Sequence, residues 1–105
     1  MDREKLAFIN PANGTQFGEV TMTTPEEVKQ AVDDMRGSFS VWSAKSVKER
    51  ARVLKKFQQL LIDQRDEISS VVSQSTGKNR QDSLIELFVS VDMLAQNRAK
   101  AATWL

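Results

Sequence analysis

Chemistry in a protein begins with its nucleophiles, bases and metal ligands, and this chain of 105 residues has no Cys, no His and no Tyr. That removes a cysteine nucleophile, a histidine base, the common zinc sites and a disulfide framework from this chain. Ser75-Thr-Gly-Lys78 fits the S-x-x-K pattern, in which a lysine one helical turn away takes the proton of a serine nucleophile, but the companion S-D-N and K-T-G elements are missing. Gly77-Lys78 has the ending of a phosphate loop. Asn79 nevertheless stands where Ser or Thr would hold magnesium, and no glycine lies five residues before Gly77.

Two charge clusters remain. Lys45, Lys48, Arg50, Arg52, Lys55 and Lys56 are interrupted by a single acid, Glu49, and could form a phosphate footprint. The ordinary reading is a solvated face with salt links to Asp63, Asp66 and Glu67, since no aromatic residues interleave the cluster for base stacking. Asp33-Asp34 and the group Asp63, Asp66, Glu67 lack the alternating oxygen ligands of a cation loop and are read as surface charge.

Composition sets the frame around these residues. At 40% hydrophobic and 28% charged the chain suits one soluble domain, burying roughly 60–70% of its unfolded surface. A net charge of +1 calls for no anionic partner. No apolar run approaches the roughly 18 residues of a membrane span, and no charged-then-apolar leader opens the chain. The expectation is a cytoplasmic protein, with neither nucleic acid nor membrane as partner.

The element that organises the rest is one long amphipathic helix over residues 46–78. Ser46 and Glu49 form a capping box at its start, and Thr76-Gly77 is its stop. Val53, Leu54, Phe57, Leu60, Leu61, Ile68, Val71 and Val72 recur at three- and four-residue steps on one face. Before it, residues 5–10 and 17–23 read as strands joined through Pro11-Ala-Asn-Gly14, a hairpin with a loop of about five residues. A two-stranded ribbon is marginal alone, so it must lie on helices or pair with other strands.

Thr24-Pro25-Glu26-Glu27 starts a helix over about 25–42, with Val28, Ala31, Val32, Met35, Phe39 and Trp42 on its stripe. Gly37 weakens its middle by about 1 kcal/mol, so the helix is expected to fray or end between Gly37 and Ala44. Phe39 and Trp42 fall on the stripe and are read as packing anchors rather than a ligand cage. A third helix covers about 81–104. Leu84, Leu87, Phe88, Val91, Leu94 and Ala95 make one apolar face, and Ile85, Val89 and Met93 make a second on another side. One side can meet the long helix and nothing here covers the other. Ala-Ala-Thr-Trp-Leu105 ends the chain on bulky apolar residues without a cap, as expected of a piece cut from something larger.

These blocks together carry a resemblance. Ile9-Asn-Pro-Ala-Asn-Gly14, Glu19-Val20, Thr24-Pro-Glu-Glu-Val28 with Ala31-Val32, Phe39 and Trp42, then Glu49-Arg50-Ala51 with Leu54, and Ser75-Thr-Gly-Lys78 followed by Glu86 and Asp92-Met93, resemble the amino-terminal part of an NAD(P)-dependent aldehyde dehydrogenase. Order and spacing are similar from about residue 8 to the end. In that family a cysteine thiolate attacks the aldehyde, the thiohemiacetal gives hydride to the nicotinamide, and a glutamate-activated water releases the acid. The resemblance covers only the start of the family's longer chains, and its catalytic cysteine, catalytic glutamate motif and dinucleotide-binding turn have no counterpart here.

The resemblance therefore implies a mainly α fragment with an N-terminal β-hairpin and three-helix packing, from a parent of α/β, Rossmann-type class. Residues 1–23 would form the strands and 24–105 the helical segment, with the catalytic domain absent. The chain alone is expected to be inactive and to hold neither NAD nor NADP, cofactors that belong to the parent. Its partner would be the remainder of an aldehyde dehydrogenase chain, in a homo-oligomer. No catalytic or metal residues are assigned. By register, Ile85 and Val89 would face the substrate entrance, the alternative being that they pack against the missing domain. Asn79 stands where the family has proline after T-G-K, so the turn into the third helix is expected to differ. A dicarboxylic semialdehyde such as succinate semialdehyde is the implied substrate class. Two readings of other classes stay open: a stand-alone interaction module docking through the third helix, and a small helical nucleic-acid binder using the basic cluster.

Overall fold

The structure is a computed structural model and describes residues 2–105. Strands β1 (Lys5–Ile9) and β2 (Gln16–Thr21) pair antiparallel with Phe8 opposite Gly18, and the register slips between Phe8 and Ile9. Both strands end earlier than the apolar pattern suggests, because their flanking residues are engaged elsewhere. Asn10 closes the turn, donating its N–H to the Thr15 carbonyl and accepting at its own carbonyl from Gly14 N–H, each at 2.8 Å. Gly14 supplies the positive φ of 71° that this loop needs. Thr24, at the other edge, is already a helix cap.

Helix α1 (Pro25–Ala44) opens with the expected capping box: Thr24 Oγ1 accepts from Glu27 N–H and Glu27 Oε2 accepts from Thr24 N–H. It runs through Gly37 and ends at Ala44, at the far edge of the window expected from the sequence. The penalty of a single glycine is too small to end a helix whose cap and proline both favour it.

The long helix is a pair. Helix α2 (Val47–Asp63) and helix α3 (Arg65–Thr76) meet at Gln64, whose φ of −99° and ψ of 18° leave the helical region. The freed carbonyl of Ile62 accepts from the Arg65 guanidinium at 3.1 Å, while the Gln64 N–H still donates to the Leu60 carbonyl at 2.9 Å. Both halves pack on helix α4 (Arg80–Trp104): α3 near its start, where Ser73 meets Ser83, and α2 further along, where Arg98 reaches Gln58. The run Asp63-Gln-Arg-Asp-Glu67, five polar residues inside an otherwise apolar stripe, is the trace the break leaves in the sequence.

Helix α3 ends on Gly77 at φ 77°, whose N–H returns to the Ser73 carbonyl at 2.9 Å. Asn79 then caps α4, its Oδ1 accepting from Asp82 N–H at 2.9 Å. This accounts for the unusual residue after T-G-K: proline offers no capping oxygen and asparagine does.

Where α3 crosses α4 the side chains are small. Ser69 and Ser83 are buried, Ser83 Oγ lies 2.7 Å from Ser73 Oγ and also donates to the Asn79 carbonyl, and Leu87 is the buried apolar residue beside them. The hairpin rests on α3 through β1. Helix α1 does not join a bundle. It makes no extensive contact with another element, and Phe39, expected as a packing anchor, is 64% exposed while Trp42 is half-buried. The three-helix packing is thus α2, α3 and α4, with α1 standing off. The chain is open for its size: its radius of gyration is 18.0 Å against about 13 Å for a compact domain of this length.

Candidate functional site

The serine–lysine pair is not a nucleophile and its base. Ser75 Oγ donates to the Val71 carbonyl at 2.8 Å, and the Lys78 ammonium is engaged by the Glu86 carboxylate from the next helix. What the S-T-G-K block does is structural. Thr76 Oγ1 donates to the Val72 carbonyl and accepts from Lys78 N–H, and Gly77 brings the chain against the hairpin turn. A Cβ on Gly77 would stand 3.1 Å from Pro11 Cγ and 3.4 Å from Ala12 N. The P-A-N-G turn and the T-G-K helix end, far apart in sequence, are therefore one locked corner.

Ile85 and Val89 lie on the outer face of α4, away from Ser83 and Leu87, at 51% and 53% exposure. Phe88, counted by spacing with the inner face, joins them there at 61%, so the outer stripe is Ile85, Phe88, Val89 and Met93. The inner side keeps Leu84, Val91, Leu94 and Ala95 half-buried against α2 and α3.

The acidic clusters are dispersed among separate partners. Asp33 pairs with Lys29 and Arg36, Asp34 accepts from Gln30, Asp63 accepts from Gln59, and Asp66 pairs with Arg80 at 2.9 Å. Among the described residues no group of three or more acidic, His or Cys side chains could hold a metal ion. No described helix is long and apolar enough to cross a membrane. Among the described residues no salt link joins the basic cluster to Asp63, Asp66 or Glu67; Asp63 accepts from Gln59 and Asp66 pairs with Arg80. Glu49, within the cluster, is held by its own cap: the Ser46 N–H donated to its carboxylate, with the Ser46 hydroxyl beside it, keeps its pKa below the ordinary glutamate value. Glu27 is lowered in the same direction, first by the Arg3 guanidinium and then by the Thr24 N–H.

One site lies outside these expectations. Between the ends of α1 and α4 and the start of α2 runs an apolar groove of about 300 Å³, with Trp42, Val47, Leu54 and Leu94 in its walls and Arg50 and Arg98 among them. Nε of each arginine is buried without an acceptor. The signal was present: Arg98 continues the series Leu84, Leu87, Val91, Leu94 at helical steps, placing an arginine on a packed face.

Helices of this arrangement with an antiparallel hairpin define a recognisable class. The chain superposes with a TM-score of 0.89 at 22% identity on a crystal structure of aldehyde dehydrogenase 21 from Physcomitrella patens in complex with the reaction product succinate, over 97% of this chain and 21% of that one. That likeness establishes the fold, which in the larger enzyme is Rossmann-like and α/β. The model of the aldehyde dehydrogenase family matches residues 1–104, and the chain belongs to that family. Relatives include the malonate-semialdehyde dehydrogenase of Bacillus pumilus, 41% identical over 70% of this chain and 15% of its own, and that of Lacticaseibacillus casei, 33% identical over 74% and 16%. The chain spans about a sixth of the length of these curated relatives.

The family implies a nicotinamide cofactor, and the described residues do not fit one. The two strands form a hairpin rather than a strand–turn–helix unit. Gly77 closes a helix C-terminus, the negative end of its dipole, and the α4 N-terminus carries Asp82 in its first turn.

Proposed function

We propose that this chain forms the amino-terminal part of an NAD(P)-dependent aldehyde dehydrogenase that oxidises a dicarboxylic semialdehyde, and that alone it is catalytically inert. The observation that carries the reading is the agreement of the family match over residues 1–104 with relatives named malonate-semialdehyde dehydrogenase. In the parent enzyme a cysteine thiolate supplied by the rest of the polypeptide attacks the aldehyde carbon, and the nicotinamide accepts the hydride. The serine–lysine pair supplies no reacting group: Ser75 is bonded to a helix carbonyl and Lys78 is ion-paired. Its part is to form the T-G-K corner and to present α4, on which Ile85 and Val89 border the substrate entrance. The parent is a homo-oligomer and works in the cytoplasm, where its thiol stays reduced.

A chimera tests the assignment. This chain replaces the matching segment of the Bacillus pumilus malonate-semialdehyde dehydrogenase, and reduced nicotinamide is followed with malonate and succinate semialdehyde. The chimera is expected to turn over, and the isolated chain to produce no reduced cofactor under the same conditions. A folded but inactive chimera, or turnover by the chain alone, would overturn the corresponding half of the proposal.

A further inference from the structure

The groove between α1, α2 and α4 is apolar in its walls, and its charged side chains are both arginines; Leu105, the last residue, also lines it. Arg50 and Arg98 come from different helices and both line it. Neither has a carboxylate within salt-bridge distance among the described residues; Arg98 has one long contact, 3.4 Å from NH2 to Gln58 Oε1. Glu49, the acid next to Arg50 in sequence, is turned back onto the Ser46 N–H at 2.7 Å. Nε of each arginine is shielded, but both side chains are only half-buried, and a guanidinium held in an apolar groove without a counter-charge favours an occupant that supplies one. The guanidinium fork matches a carboxylate in geometry as well as charge.

We infer that this groove is the docking site of a polypeptide segment that places one carboxylate, flanked by apolar side chains, between Arg50 and Arg98. A polypeptide is favoured because relatives of this chain are about six times its length and bring far more chain to the same fold. Charge complementarity selects the acidic residue: Trp42, Val47, Leu54 and Leu94 take its apolar neighbours, and the two guanidinium groups take its oxygens. The inference rests on the reading of the chain as part of a longer enzyme. The chimera tests that reading by activity, whereas binding tests this one, so the two can fail separately.

The test uses the 105-residue chain carrying Trp104→Phe, which leaves Trp42 as its sole tryptophan. Its fluorescence is titrated with the blocked peptide Ac-Leu-Glu-Ala-Leu-amide and with the glutamine isostere. The glutamate peptide is expected to bind roughly tenfold or more tightly than the isostere, the worth of one charge-assisted hydrogen bond. The preference is expected to vanish in Arg50→Gln/Arg98→Gln and to be reduced in Arg50→Lys/Arg98→Lys, which keeps the charge without the fork. Far-UV circular dichroism confirms that each variant stays helical. Equal binding of the two peptides, no binding of either, or an undiminished preference in a folded Arg50→Gln/Arg98→Gln variant overturns the inference. So does tighter binding of decanoate than of the peptide, which makes the occupant a small amphipathic acid. Self-association abolished by the arginine substitutions also overturns it, because the occupant is then a second copy.

Discussion

Gly77→Ala should be among the most damaging single substitutions in this chain, although Gly77 lies at a loop and carries no side chain. Two costs combine. The residue sits at φ 77°, ψ 3°, a left-handed conformation that costs an L-residue with a Cβ about 1–2 kcal/mol. The new Cβ would also stand 3.1 Å from Pro11 Cγ, closer than ordinary van der Waals contact, so the hairpin turn must withdraw from α3 at a cost on the order of 1 kcal/mol. The expected loss is about 2–3 kcal/mol, read as a shift of the urea midpoint by far-UV circular dichroism. Gly77→Asn separates the terms, since asparagine tolerates the left-handed region but brings the same Cβ. Pro11→Ala should relieve part of the contact, so the double mutant is expected to couple by about 0.5–1 kcal/mol. A Gly77→Ala loss within about 0.5 kcal/mol of zero would refute the reasoning. An absence of coupling to Pro11→Ala would refute its second half and leave the corner unlocked.

Leu87→Ala is expected to cost about 2–3 kcal/mol, near the low end for buried leucine because its surroundings are shallow and can relax; the same urea titration checks it. Ser83→Leu should separate α3 from α4, since Ser83 is fully buried 2.7 Å from Ser73 Oγ, and loss of helical signal or of a cooperative transition reports it. Glu49→Gln should destabilise at neutral pH and have no effect in acid. The folded-state pKa of Glu49 is depressed, so its contribution is present above the ordinary glutamate range and is lost as pH falls through the folded value; thermal melts across pH check the convergence. Ile85→Asp and Val89→Asp in the chimera separate two roles. If these residues border the substrate entrance the protein folds and its KM changes, whereas a packing role predicts loss of soluble enzyme with KM intact in what remains.

Much of the fold was legible because its signals are local. Both capping boxes form as Thr24-x-x-Glu27 and Ser46-x-x-Glu49 indicate, since three-residue spacing is all that reciprocal capping requires. The break at Gln64 was not legible from periodicity. A single residue at ψ 18° barely disturbs the phase of the stripe, and the helix on which both halves pack, α4, follows them in the chain. Phe39 and Phe88 show the other limit. Helical spacing says which residues share a face, not whether anything covers that face, and both remain open here. The Arg50–Arg98 groove combines these cases: Arg98 stands in the packed register, yet its meeting with a residue 48 positions earlier is a property of the α2–α4 crossing.

The uncovered faces explain why the chain's own residues amount to a scaffold. A compact monomer of this mass exposes about 5,900 Å², and this chain exposes 8333 Å². The surplus exceeds what a standard protein–protein interface removes from one partner, roughly 800 Å². It is spread over the hairpin, α1, α2 and the outer stripe of α4, where Phe8, Phe39, Phe57 and Phe88 are all exposed. A small ligand cannot cover such an area, and a single flat partner meets only part of it. A longer polypeptide that wraps these faces covers them in turn, and where it enters the groove it meets Arg50 and Arg98 on the side of α4 opposite the Ile85 stripe. On the docking inference Arg50 and Arg98 fix where that polypeptide brings an acid, while the exposed apolar faces require only that it be hydrophobic.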